Sequence, residues 1–100
     1  MFNHVDQVLT GFLAAAAEDP RISTAHISLY VSLWKLWKDR SAVAPLYVYS
    51  HEVMAICKIS SYSTYHKTIR QLQQYGFILY EPSFNQYIGS KIEFIQLNNK

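Results

Sequence analysis

Ser60-Ser61-Tyr62-Ser63-Thr64-Tyr65-His66-Lys67-Thr68-Ile69-Arg70-Gln71-Leu72-Gln73-Gln74-Tyr75-Gly76-Phe77-Ile78-Leu79-Tyr80 is the stretch that decides the fold. Tyr65, Ile69, Leu72 and Gly76 fall three or four residues apart, which predicts a helix with one buried face and one polar face. Ser60 or Ser61 starts it, because a serine hydroxyl can accept from an exposed amide of the first turn. Gly76 stops it, because glycine takes the left-handed conformation without steric cost. The polar face carries Tyr62, Ser63, His66, Lys67, Arg70 and Gln73, and no carboxylate occurs between Ala55 and Leu79. An anion could lie along it.

On the N-terminal side of this helix, Ser50 is placed to cap a brief helix through about Cys57, with Val53, Ile56 and Cys57 toward the core. Lys58-Ile59-Ser60 is long enough only for a tight turn, so residues 50–75 read as a helix-turn-helix. The turn lacks the glycine usual there, and Ser60-Ser61 makes it one residue longer than the commonest spacing. Leu46-Tyr47-Val48-Tyr49 is β-branched and aromatic between Pro45 and Ser50, which predicts a short strand. On the C-terminal side, Phe77–Glu81 and Ser90–Leu97 predict a hairpin over 77–97, joined by a loop of Pro82, Ser83, Asn85 and Gly89. With Leu46–Tyr49 these strands can make a three-stranded antiparallel sheet. Asn98-Asn99-Lys100 is expected to fray.

The N-terminal half is helical in pattern. Val5, Val8, Leu9, Phe12, Leu13 and Ala16 share one face, Asn3 is a cap, and Glu18-Asp19-Pro20-Arg21 ends the helix, giving an N-terminal helix and connector over 1–22. Ser23 or Thr24 caps the next helix, from about Ala25 to Lys38. Its apolar residues, from Ile27 to Trp37, cover most of the circumference, so it is expected at the centre, packed on more than one side. Trp34 and Trp37 are read as core and edge packing with satisfied indole N–H groups.

One hundred residues make a single domain, 1–100, mainly α with a small antiparallel sheet (α+β). The net charge of +2 is too small to argue nucleic-acid binding from bulk electrostatics, so the placement of charge must decide. Asp6, Glu18, Asp19 and Asp39 lie in the first forty residues, whereas Lys58, Lys67 and Arg70 sit in the acid-free stretch. A single Cys57 makes no internal disulfide and agrees with a reducing compartment. Val8–Ala17 has the small residues of a signal peptide, but no cation precedes it and its apolar spacing is helical, so it reads as a domain helix. No run is long enough to cross a bilayer, so the expected location is the cytoplasm and no membrane partner is expected.

Helix, helix, short strand, helix, tight turn, helix, hairpin is the order of a winged helix-turn-helix preceded by one extra helix. Particular motifs add to the order: Asp19-Pro20-Arg21-Ile22-Ser23 with His26-Ile27-Ser28-Leu29-Tyr30, Lys58-Ile59-Ser60-Ser61 with Thr64-Tyr65-His66-Lys67, and Tyr80-Glu81-Pro82-Ser83-Phe84-Asn85 with Gly89-Ser90-Lys91. In these the chain resembles a family of small winged-helix transcriptional regulators of the Bacteroidetes, over nearly its whole length. The resemblance implies DNA binding in a regulatory role.

A helix that enters a major groove presents its first turns to the base edges, which makes Tyr62, Ser63 and His66 the candidate readers. Lys67 and Arg70 are candidates for phosphates, or for a bidentate guanine contact by Arg70. Lys58, Ser61 and the hairpin residues Ser83, Asn85, Gln86, Ser90 and Lys91 are placed to touch the flanking backbone. A solvated polar face is the plainer alternative. Tyr65 belongs to the seam, hence to the core.

No His or Cys pair has zinc-binding spacing, and no nucleophile elbow, phosphate loop or paired carboxylates suggest an enzyme; no metal or cofactor is expected. The contrasting function is a protein-interaction adaptor docking through the aromatic loop Phe84–Tyr87 or through the first helix. Phe2 and the Ala14–Ala17 surface would also allow a homodimer through that helix.

Overall fold

The computed structural model describes residues 3–83 and 87–97. Phe2, Phe84, Asn85, Gln86 and the end Asn98–Lys100, to which expectations were attached above, lie outside the described residues. The elements run α1 (His4–Ala17), α2 (Thr24–Asp39), β1 (Leu46–Val48), α3 (Ser50–Cys57), α4 (Tyr62–Gln74), β2 (Ile78–Glu81) and β3 (Ser90–Phe94). The fold is α+β, and the sheet is antiparallel in the order β1-β3-β2. No helix among the described residues is long and apolar enough to cross a membrane.

α2 is the centre, as its all-round apolar pattern requires. Leu29, Tyr30 and Leu33 have no exposed surface. Phe12 of α1 stacks on Tyr30 at 3.7 Å between ring centroids and meets Phe77 edge-on at 5.2 Å, so one aromatic column joins α1, α2 and the start of the hairpin. Asn3 caps α1 by accepting from the Asp6 amide (2.9 Å). Ser28 Oγ donates to the Cys57 carbonyl (2.7 Å), which satisfies the end of α3 from the side of α2.

Pairing of Leu46 and Tyr80 with Ile92, and of Ile78 with Phe94, sets the sheet register. Alternation then sends Leu46, Val48, Ile78, Tyr80 and Ile92 inward, and Tyr47, Leu79, Glu81, Lys91 and Glu93 to the outer face. β3 stops at Phe94 rather than Leu97. Ile95 N–H still donates to the Phe77 carbonyl (3.2 Å), but beyond it Gly76 turns the chain away and no partner strand remains. β1 likewise ends at Val48. The Tyr49 amide donates to Glu52 Oε2 (2.9 Å), so Tyr49 occupies the cap position and Ser50 is the first helical residue of α3.

Two core expectations need correction. Ile56 is 37% exposed, since α3 meets the core through Val53 and Cys57 alone on that side. Trp34 Nε1 donates to the Val5 carbonyl (2.8 Å), but Trp37 Nε1 is buried with no partner among the described residues. The Trp37 ring packs on Phe94 and the edge of His4, so apolar contact outweighs an unmet donor that costs about 1–3 kcal/mol.

The turn into α4 is set by three residues. Lys58 takes the left-handed conformation (φ 64°) at the end of α3, the task a glycine would usually perform. Ile59 is buried and anchors the turn, while Ser61, not Ser60, caps α4 by accepting from the Thr64 amide (3.3 Å). At the other end Gly76 has φ +88°, its amide donates to Gln73 O (3.0 Å), and the Phe77 amide donates to Leu72 O (2.9 Å). These two bonds make a Schellman stop, and the hairpin starts directly from it.

Candidate functional site

α4 has four sides with four tasks. Tyr65, Thr68, Ile69 and Leu72 are buried, and Thr68 satisfies its own hydroxyl by donating to the Thr64 carbonyl (2.7 Å). Opposite them Ser63, Lys67, Arg70 and Gln74 are exposed. One flank is tied to α2. His26 Nε2–H donates to Gln71 Oε1 (2.8 Å), which leaves Nδ1 to accept from the Ser23 amide (2.9 Å). Beside it the Arg21 guanidinium lies 4.2 Å from the centre of the Tyr75 ring. Asp19 fixes Arg21 at 2.7 Å, and the hydrogen bonds from Arg21 lower the Asp19 carboxyl to about 2. The other flank faces the hairpin, where Gln73 Oε1 accepts from the Tyr80 amide (2.6 Å).

The cations separate into two groups. Arg21 pairs with Asp19, Lys35 with Asp39, Arg40 with Glu52 and Lys91 with Glu93, while Lys38 lies over the Trp34 ring. Lys58, Lys67 and Arg70 have no such partner among the described residues. All three belong to the turn and α4. The carboxylate-free stretch of sequence thus becomes a surface with uncompensated positive charge.

The expected site residues are only partly brought together. Ser61, Tyr62, Ser63, Lys67 and Arg70 are exposed along α4 or at its start, and Lys58 is exposed on the adjoining turn. The Ser61 hydroxyl is already used by the cap and lies 3.1 Å from Ser63 Oγ. His66 departs from the solvated position expected for it. It is half-buried on the hairpin flank, its ring 4.4 Å from Tyr62 and 5.5 Å from Tyr65, with Nδ1 buried and without a partner among the described residues. Burial first, then the nearby Arg70 charge, lowers its pKa below the ordinary histidine value, which favours the neutral ring. Lys91 stands apart. Ile92 must point inward, so Lys91 points out of the sheet, opposite Glu81 and 3.8 Å from Glu93. Gln73 is exposed, as expected on the polar face, and its side chain also holds the hairpin.

Between α4 and the hairpin runs a groove of about 350 Å³, walled by Tyr65, His66 and Arg70 on one side and Tyr80 and Ser90 on the other, with Ser50 at its end. No carboxylate lines it. Clefts beside α1 and beneath the outer sheet face gather no unpaired cation. The groove geometry rests on three ties: Gln73 to the Tyr80 amide, the Tyr49 hydroxyl donating to the Tyr87 carbonyl (2.8 Å), and the close approach of Gly89 to Val48. Nothing in the local sequence pattern marks Gln73, Tyr49 or Tyr80 for this task, since their partners are brought together only by folding. Among the described residues no group of three or more His, Cys, Asp or Glu side chains could hold a metal ion. No protein-family model, curated protein or solved structure matches the chain.

Proposed function

We propose that the chain is a winged helix-turn-helix protein that binds duplex DNA as a cytoplasmic transcriptional regulator. In this reading α4 enters the major groove, the β2–β3 hairpin is the wing, and Tyr62 and Ser63 at the first turn meet base edges. One observation carries it: among the described residues the cations without a carboxylate or ring partner, Lys58, Lys67 and Arg70, lie on α4 and the turn before it. The element order agrees with it, as does the resemblance to the small winged-helix regulators of the Bacteroidetes.

Few phosphate contacts per copy favour a homodimer reading two half-sites. α1 offers Leu13, Ala14 and Ala17 as an open strip for that contact. Selection from a random duplex pool at low salt tests the proposal. Wild-type protein should enrich a defined site, and Lys67→Ala/Arg70→Ala protein should retain far less duplex while keeping its melting temperature. Equal retention by both proteins refutes the role of this face. A second reading, a protein-binding adaptor, is favoured by the exposed Tyr47 and Leu79 on the outer face of the sheet. Partner binding through that face would be nearly indifferent to salt.

A further inference from the structure

Tyr65 and Tyr80 are 2% and 8% exposed, and both line the groove between α4 and the hairpin. Neither hydroxyl has a hydrogen-bond partner among the described residues. They differ from Tyr30, whose partnerless hydroxyl is sealed from solvent; those of Tyr65 and Tyr80 are not sealed. The Tyr65 and Tyr80 rings are buried while their hydroxyls stay open to the groove, where water can meet them, so an acceptor that enters the groove can take the place of that water. Arg70 supplies an unpaired guanidinium to the same groove, and no carboxylate of the described residues lines it; Glu52, near enough to act on Tyr65, is paired with Arg40. His66 is half-buried with its pKa lowered by burial and by Arg70, so the positive charge on that wall is the Arg70 guanidinium. Burial and the neighbouring Tyr80 push the Tyr65 phenol well above the ordinary tyrosine range, so it keeps its proton and stays a donor.

We propose that this groove is a phosphate site in which the Tyr65 and Tyr80 hydroxyls donate to phosphate oxygens and Arg70 supplies the countercharge. The hydroxyls are neutral donors held by the core, so the site selects by geometry, while Arg70 provides attraction and the option of a bidentate contact. The phosphate is either a backbone phosphodiester of the duplex or a free phosphorylated compound. The first source rests on the DNA-binding reading and the second does not.

Tyr65→Phe and Tyr80→Phe remove only the hydroxyls and keep the ring packing. Two measurements separate the sources: amide chemical shifts of full-length protein titrated with inorganic phosphate against chloride at equal ionic strength, and duplex affinity at fixed salt. The expected result is a saturable shift at His66, Arg70 and Ser90 that both variants abolish, or a loss of duplex affinity of about ten-fold per hydroxyl. A phosphate response without duplex binding assigns the site to a free phosphate and refutes the DNA reading alone. Duplex binding that both variants leave unchanged, with no variant-sensitive phosphate shift, overturns the site and leaves the DNA reading standing. A phosphate shift that persists in both variants marks an adventitious ion only and also overturns it. If a phenylalanine variant unfolds, Arg70→Gln at an exposed position replaces it in the phosphate titration alone, where loss of the shift supports the site and a persisting shift overturns it.

Discussion

On the proposed DNA-binding reading, the salt dependence of duplex binding is the most quantitative consequence of the charge arrangement. The logarithm of affinity falls with the logarithm of salt by about 0.9 for each phosphate neutralised. Lys58, Lys67 and Arg70 are the unpaired cations among the described residues of one copy, whereas Lys91 lies 3.8 Å from Glu93. A single copy should therefore show a slope of about −2.7, which is 0.9 for each of three contacts, and lose about 40-fold in affinity between 50 and 200 mM salt. Lys67→Ala/Arg70→Ala protein keeps Lys58 alone, so its slope should be about −0.9 and its loss about 3.5-fold. Two copies on one operator should double the wild-type value to about −5.4. Fluorescence anisotropy on the selected duplex measures all three. Both side chains are exposed, so stability should change by no more than about 0.5 kcal/mol, a few degrees of melting temperature. Equal slopes for the two proteins, or a wild-type slope near zero, would refute the inference from unpaired charge to phosphate contact.

Other perturbations test the framework behind that surface. Ile69→Ala or Leu72→Ala removes a side chain with no exposed surface and should cost about 2–5 kcal/mol, a large part of the stability of a domain this size, measured by urea unfolding. Gly89→Ala would set a Cβ 2.4 Å from the Val48 carbonyl oxygen and 2.7 Å from its carbon. Backbone cannot yield as a flexible side chain does, so β1 should part from β3, and exchange of the β1 and β3 amides should quicken; unchanged exchange would show that the strands absorb the clash. The Asp19 carboxyl, lowered to about 2 by Arg21, should remain ionised through the ordinary carboxylate range. Its folded pKa lies below its unfolded one, so its contribution is full above about pH 4 and fades as pH falls toward 2. A carboxyl carbon resonance of Asp19 titrating near 4 would contradict the Arg21 contact.

Much of the helical framework was legible in the sequence because helices are local. The spacing of Tyr65, Ile69 and Leu72 fixed the buried side of α4, Gly76 its stop, Asn3 the start of α1, and the all-round apolar pattern the central place of α2. Each of these depends on residues within a turn or two of one another. The absence of carboxylates beside Lys58, Lys67 and Arg70 was equally visible, since a stretch with no acids offers no local partner. Tertiary structure decided where separate elements meet. Lys91 looked like its fellow cations until β-strand alternation set it outward beside Glu93. His66 looked solvated until the hairpin closed over its flank, Gln73 stayed exposed but gained the Tyr80 amide, and Tyr65 became both core and groove wall. Lys58 took up a left-handed turn that no propensity assigns to lysine, because buried Ile59 and the capped start of α4 fix the path on either side of it. Helical periodicity is written in neighbouring residues, but the facing surface that gives each side chain its use arrives from far along the chain.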